Sequence, residues 1–304
     1  MNREQFTQLI NQPGTNSESF LAYFISRLFD MQAHYESLNK RIGGDNNVFN
    51  ATGVEEALNQ YFWPGSVANL TVPQVGPDSF ETGDWASTRK ALNQLRTLLQ
   101  HNIKTRNNER ALAVCIAIID WGMGSGARGN AARNHLRNQA DLTGYLAQVR
   151  ALSDSDHDTV PITRHNVTNY NSGLSKVHAL ASQSGLIIYD SRVAFALGEC
   201  VNQWLLNNQA NAIPAHLKFM QGKRRNITSA DPVFPRGWPQ LNHGVNYRNK
   251  WLETQKRASW LFEAALTDEA GQGIWRGQPL PERMHQLEAA FFMFGAYAGI
   301  LELP

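Results

Sequence analysis

Apolar positions along this chain recur at i, i+3 and i+4 in one segment after another, divided by polar stretches rich in Gly, Pro and Asn. Residues 3–10 read as a short lead-in helix stopped by Pro13-Gly14. Ser17 and Ser19 then cap a long helix through Phe20, Phe24, Leu28, Met31 and Tyr35, ending at Gly43-Gly44. A shorter helix, 52–62, closes at Pro64-Gly65, and residues 66–84 read as a loop with one short strand. Helical spacing returns at Trp85, Leu92, Leu95, Leu98 and Leu99, and the run 109–120 is apolar enough to cross the middle of the molecule. Further helices are predicted over 141–152, 176–185, 191–205, 247–266 and 280–301, the last apolar nearly all round. No convincing strand alternation appears, so the pattern predicts an all-α fold. Two helical lobes around a groove are expected, 1–153 and 154–304, divided at the polar run Asp154, Asp156, His157 and Asp158.

Composition changes this picture little. A chain of 304 residues with 42% hydrophobic and 10% aromatic content buries a sizeable core and is not disordered. A formal charge of +2 means that any contact with nucleic acid comes from local basic patches rather than a global field. Cys115 and Cys200 lie within apolar helical runs and read as buried thiols of a reducing compartment. No signal-peptide core and no membrane-length apolar run is present, which predicts a cytoplasmic protein.

The richest stretch runs from Asn171 to Trp204. Lys176 opens one short helix, and Asp190 stands immediately before the next, where its carboxylate is an N-cap facing the positive end of the helix dipole. A lysine and a carboxylate at successive helix starts can meet over one cleft. Capping and catalysis are compatible for Asp190, and Lys176 reads equally as a solvated first-turn residue or as a reactive amine. Gly122, Gly124, Gly126 and Gly129, followed by Arg128, Arg133 and Arg137, read either as a phosphate-cradling loop or as a loop packed closely for structural reasons. The run from Asp154 to Asp158 lacks the Gly and distal Glu of a calcium loop and reads as a solvated linker; no metal or cofactor is called for. Between His216 and Asn242, Lys218, Lys223, Arg224, Arg225 and Arg236 alternate with Phe219, Phe234 and Trp238, the composition of a DNA-contacting surface or of an ordinary basic loop.

Ser175-Lys176-Val177, followed by Ile188-Tyr189-Asp190-Ser191-Arg192-Val193 and a long helix, resembles the 8-oxoguanine DNA glycosylase fold, a bacterial branch of the helix-hairpin-helix glycosylase superfamily. The likeness covers about 173–205, with a looser one at Lys256-Arg257-Ala258-Ser259-Trp260 and the closing helix. The hairpin here carries one glycine, Gly173, where the superfamily has two. The resemblance implies a monomeric DNA glycosylase in which Lys176 attacks the sugar C1′ and Asp190 assists base loss. It also implies an oxidised purine or, in anti-phage defence, a hypermodified phage base as substrate.

That chemistry asks for these residue types. Breaking an N-glycosidic bond builds positive charge on the sugar, which a carboxylate stabilises, and a deprotonated lysine displaces the base and forms a Schiff base. The base is flipped out and held between rings. Trp121, Trp85, Trp238 and Tyr189 are candidates to line its pocket, with core packing the competing role for each, and Ser175, Arg192, Lys223, Arg224, Arg225, Arg236 and Arg128 are candidates to contact DNA. Rival readings are a non-catalytic DNA- or protein-binding module on the same fold and a nucleotide-handling enzyme using the Gly122–Gly129 loop.

Overall fold

The computed structural model describes residues 1–36, 48–67, 80–158, 169–221, 247–296 and 301–302. Among these, helices dominate: α1 (Arg3–Ile10), α2 (Phe20–Asp30), α3 (Gly53–Asn59), α4 (Trp85–Lys104), α5 (Asn108–Met123), α6 (Asn130–Arg137), α7 (Leu142–Asp154), α8 (Ser172–Ala181), α9 (Ser191–Asn207), α10 (Arg248–Thr267) and α11 (Leu280–Phe294). Strands β1 (Gln32–Glu36), β2 (Val48–Thr52) and β5 (Leu301–Glu302) form an antiparallel sheet in the order β2-β1-β5, and β3 (Gly65–Val67) pairs with β4 (Phe80–Thr82). The fold is mainly α, with these small sheets at its edge.

The helix expected to run past Tyr35 stops at Asp30. Met31 leaves helical geometry at φ −57° and ψ 126°, its carbonyl accepts the Gly53 N–H at 2.8 Å, and the chain then pairs with β2 with Ala33 opposite Ala51. Phe49 and Ala51 are buried while Val48, Asn50 and Thr52 are exposed, a period of two that commits this segment to a sheet. The expected stop at Gly43-Gly44 lies outside the described residues.

One continuous apolar cluster reaches from Phe6 to Phe294. Its aromatic centre joins α2, α10 and α11: Phe24 lies 6.0 Å from Phe262 and 5.6 Å from Phe291, and these two are 5.1 Å apart, ring centre to ring centre. Phe6 of α1 meets Trp260 of α10 at 5.9 Å, and α3 packs along α11. Helices α4, α5 and α7 surround α8. Helices α1 to α3 pack against α9, α10 and α11.

The acidic run is exposed at Asp156 and His157, as expected of a solvated linker, but is anchored at Asp154 and Asp158. Asp154 accepts from the hydroxyls of Ser182 and Ser184 at 2.6 and 2.9 Å. Asp158 is buried between Arg257, 2.7 Å from Oδ2, and the N-terminal amine, 2.9 Å from Oδ1. Lys256 closes α7 from the other side, donating to the carbonyls of Leu152 and Ser155, and burial pushes its ammonium down to about 8. Cys115 and Cys200 are free, buried thiols, and burial raises both well above the usual thiol range, away from nucleophilic use. Among the described residues no helix is long and apolar enough to cross a membrane, and no group of three or more His, Cys, Asp or Glu is arranged to hold a metal ion.

Phe291 is fully buried between two other rings of this centre. Phe291→Ala is expected to cost about 3–5 kcal/mol, read as a fall in the denaturant midpoint with an unchanged slope.

Candidate active site

The extended segment Leu186–Tyr189 is buried, with no strand partner among the described residues, between the end of α8 and the start of α9. Its backbone is taken up by side chains: Ile187 N–H donates to Ser259 Oγ at 3.1 Å and Ile188 N–H to Glu288 Oε2 at 2.8 Å, while the Ile187 carbonyl accepts from Gln255 and that of Tyr189 from Ser175. This arrangement fixes where Asp190 emerges. Asp190 Oδ1 caps α9, accepting the N–H groups of Arg192 and Val193 at 2.9 and 3.1 Å.

The other oxygen, Oδ2, lies 3.9 Å from Lys176 Nζ. Lys176 is only 4% exposed, and its ammonium donates to the carbonyl of Ser172 at 3.2 Å. Burial holds its pKa below the ordinary lysine value; the carboxylates of Asp190 and Glu288 oppose that shift, and Arg192 adds to it. Gly122, in the last turn of α5, makes room for this side chain. A Cβ at that position would overlap Lys176 Cδ and Cε.

Lys176 and Asp190 share the wall of one pocket with Tyr61, Trp63, Trp85, Trp121, Phe292 and Glu288. Its empty volume is about 400 Å³ counted out to the mouth, although the walls stand close enough that water-sized space within it is scant. The rings interlock: Trp63 meets Phe292 edge-on at 5.3 Å, Tyr61 meets Trp85 edge-on at 5.4 Å, and Trp63 Nε1 donates to the Trp121 carbonyl at 2.9 Å. The indole N–H groups of Trp85 and Trp121 have no acceptor among the described residues. Arg192 is half-buried, with its guanidinium 4.2 Å from the centre of the Phe292 ring and 5.2 Å from that of Trp63. It braces the aromatic wall from behind.

The structure thus brings together Lys176, Asp190, Trp85 and Trp121. It sets others apart. Tyr189 is fully buried and donates to the Met220 carbonyl at 2.8 Å, so it is a core residue and not part of the pocket lining. Ser175 is equally buried, its hydroxyl donating to the carbonyls of Ser172 and Tyr189, which leaves nothing for a phosphate at the surface. Arg128 is exposed in a 3-10 turn, Ala127–Gly129. Lys223, Arg224, Arg225, Arg236 and Trp238 lie outside the described residues. The glycine loop is closed around a buried guanidinium: Arg133 donates to the carbonyls of Gly124 and Gly126 and pairs with Asp120 at 2.8 Å. A phosphate cradle needs outward N–H groups, and that of Gly124 is already bonded to the Asp120 carbonyl.

Sequence reasoning missed Tyr61, Trp63, Phe292 and Glu288. Only Glu288 carried a usable signal, as an acid set among Leu287, Ala289, Ala290 and Phe291 in an apolar helix. The chain matches no protein-family model, no curated protein and no solved structure.

The cap and the free oxygen of Asp190 separate by mutation. Asp190→Ala is expected to cost about 1 kcal/mol through the lost cap, whereas Asn, an equally good cap, keeps stability within a few tenths of a kcal/mol, both read by chemical denaturation.

Proposed function

We propose that this chain is a DNA glycosylase that breaks the N-glycosidic bond of a modified or damaged base. The observation carrying the proposal is the 3.9 Å approach of Lys176 Nζ to the uncapped oxygen of Asp190 on the wall of an aromatic pocket. Rings on several sides suit a flat base swung out of the duplex, and the tightness of the unliganded pocket means that its walls part as the base enters. The resemblance of the Ser175–Val193 region to helix-hairpin-helix glycosylases supports the same reading of the fold, with DNA crossing a groove between two helical lobes.

In this mechanism the free oxygen of Asp190 stabilises positive charge as the bond between C1′ and the base nitrogen lengthens. The bonding electron pair leaves with the base, which takes up a proton. The Lys176 amine bonds to C1′ and loses a proton, and opening of the sugar ring yields a Schiff base. Burial favours the neutral amine that this step requires. The substrate classes suggested by the resemblance, an oxidised purine or a hypermodified phage base, are both kept.

A phosphate-contacting surface adjoins the pocket. Helix α4 carries no acidic residue; its Arg89 is paired with Glu282 and its Arg96 with His285, while Lys90, Asn93 and Thr97 are exposed on it and its first residue, Trp85, lines the pocket. Lys90→Glu is expected to weaken duplex binding severalfold and to reduce the slope of log affinity against log salt by about one or more.

Incubation with a panel of damaged and phage-modified duplexes, scored for alkali-labile sites, tests the activity itself. Asp190→Asn should lower base release by about 100-fold or more with stability unchanged; release at the wild-type rate would sink the assignment. Borohydride should trap a covalent DNA adduct that Lys176→Ala loses. Because the neutral amine reacts and burial lowers its pKa, trapping should rise with pH through a midpoint below that of an ordinary lysine.

A further inference from the structure

Glu288 is the second carboxylate of the pocket, and its environment leaves one oxygen without a partner. Oε2 accepts from Ile188 N–H at 2.8 Å and faces His285 Nδ1 at 3.0 Å. The state of that histidine follows from its other side. Arg96 is a donor only and sits 2.5 Å from His285 Nε2, so Nε2 accepts, Nδ1 carries the proton, and His285 is a neutral donor to Glu288. Oε2 is thus held by two N–H groups. Oε1 accepts no hydrogen bond among the described residues, in a side chain that is 12% exposed and lines the pocket.

Oε1 is not fully enclosed and opens on the pocket, while the chain from Arg96 through His285 to Glu288 fixes the carboxylate that presents it. Lys176 and Asp190 already occupy the wall where the sugar reacts. We propose that Glu288 is the base-reading residue of this pocket, its Oε1 accepting an N–H from the edge of the flipped base and so selecting bases that present a hydrogen-bond donor there. This rests on the glycosylase reading and deepens it. A site built to accept a hydrogen bond discriminates strongly against an analogue that lacks the donor, because the carboxylate oxygen is then left desolvated and unpaired.

Glu288→Gln tests the proposal, since the amide oxygen keeps the bonds to Ile188 and His285 and turns an N–H₂ toward the pocket. Two assays on duplex DNA are compared: single-turnover release of the base that the wild type excises, and borohydride trapping on DNA carrying a preformed abasic site, which has no base to read. Base reading requires release to fall at least about tenfold while the plateau of abasic-site trapping at high pH stays at the wild-type level, its midpoint moving only to lower pH because the lost carboxylate no longer supports the Lys176 charge. Equal losses in both assays would instead make Glu288 a positioning residue for Asp190 or a modulator of Lys176, and would overturn the proposal. A second measurement needs no turnover: quenching of tryptophan fluorescence by free adenine, cytosine, hypoxanthine and uracil and by their N-methylated counterparts, in wild type and Glu288→Gln. The wild type should bind one N–H base at least about tenfold more tightly than its methylated form, and the variant should lose that preference; a preference that survives in the variant, or none in the wild type, overturns the assignment. Failure of the glycosylase reading looks different, with no release and no trapping from any duplex by the wild type.

Discussion

A buried stretch of extended chain with no strand partner among the described residues is the constraint around which the molecule is arranged. Water cannot reach Leu186–Tyr189, so its peptide groups must find partners inside the protein. Ser175 from α8, Gln255 and Ser259 from α10 and Glu288 from α11 supply them. Gln255 also donates to the Ser175 carbonyl, knitting α8 and α10 to the same segment. A polar framework of this kind costs desolvation at each member and returns positional accuracy, which is what a capping acid beside a buried amine requires.

The electrostatics follow from that placement. One oxygen of Asp190 belongs to α9 as its cap, and one is left for the pocket; Glu288 divides in the same manner between the backbone and the cavity. Two acids with one free oxygen apiece stand near an amine whose burial disfavours its charge. Arg192 stacks on Phe292 and Trp63, placing a cation behind the aromatic wall, where it adds to the disfavouring of the lysine's charge.

Local pattern accounts for what could be read directly from the chain. The periodicity around Leu92, Leu95 and Leu99 and the apolar run ending at Asp120 give the existence and starts of α4 and α5, which run on to Lys104 and Met123, and Asp190 before a helical run gives the cap. Trp85 and Trp121 stand at helix ends, where a ring can face a cavity, and both do line the pocket. What escaped reading depends on partners distant in sequence. β1 looked like the tail of a helix because only its pairing with β2 selects the strand period. Glu288 gains its meaning from Ile188, a hundred residues away, and from Arg96 through His285. Tyr189, a pocket candidate with core packing as its rival role, is a core residue because the carbonyl of Met220 draws its hydroxyl inward.

Gly295 ends α11 against the first turn of α9, where a Cβ would overlap the Arg192 carbonyl oxygen. With no methyl group between them, the backbones of the two helices touch two residues after Asp190 and seven residues after Glu288. Sliding either helix along the other would therefore change the spacing between the two carboxylates, and the close backbone contact resists it. The seam between α9 and α11 thus acts as a fixed plate that carries both acids and, in Phe292, part of the aromatic wall.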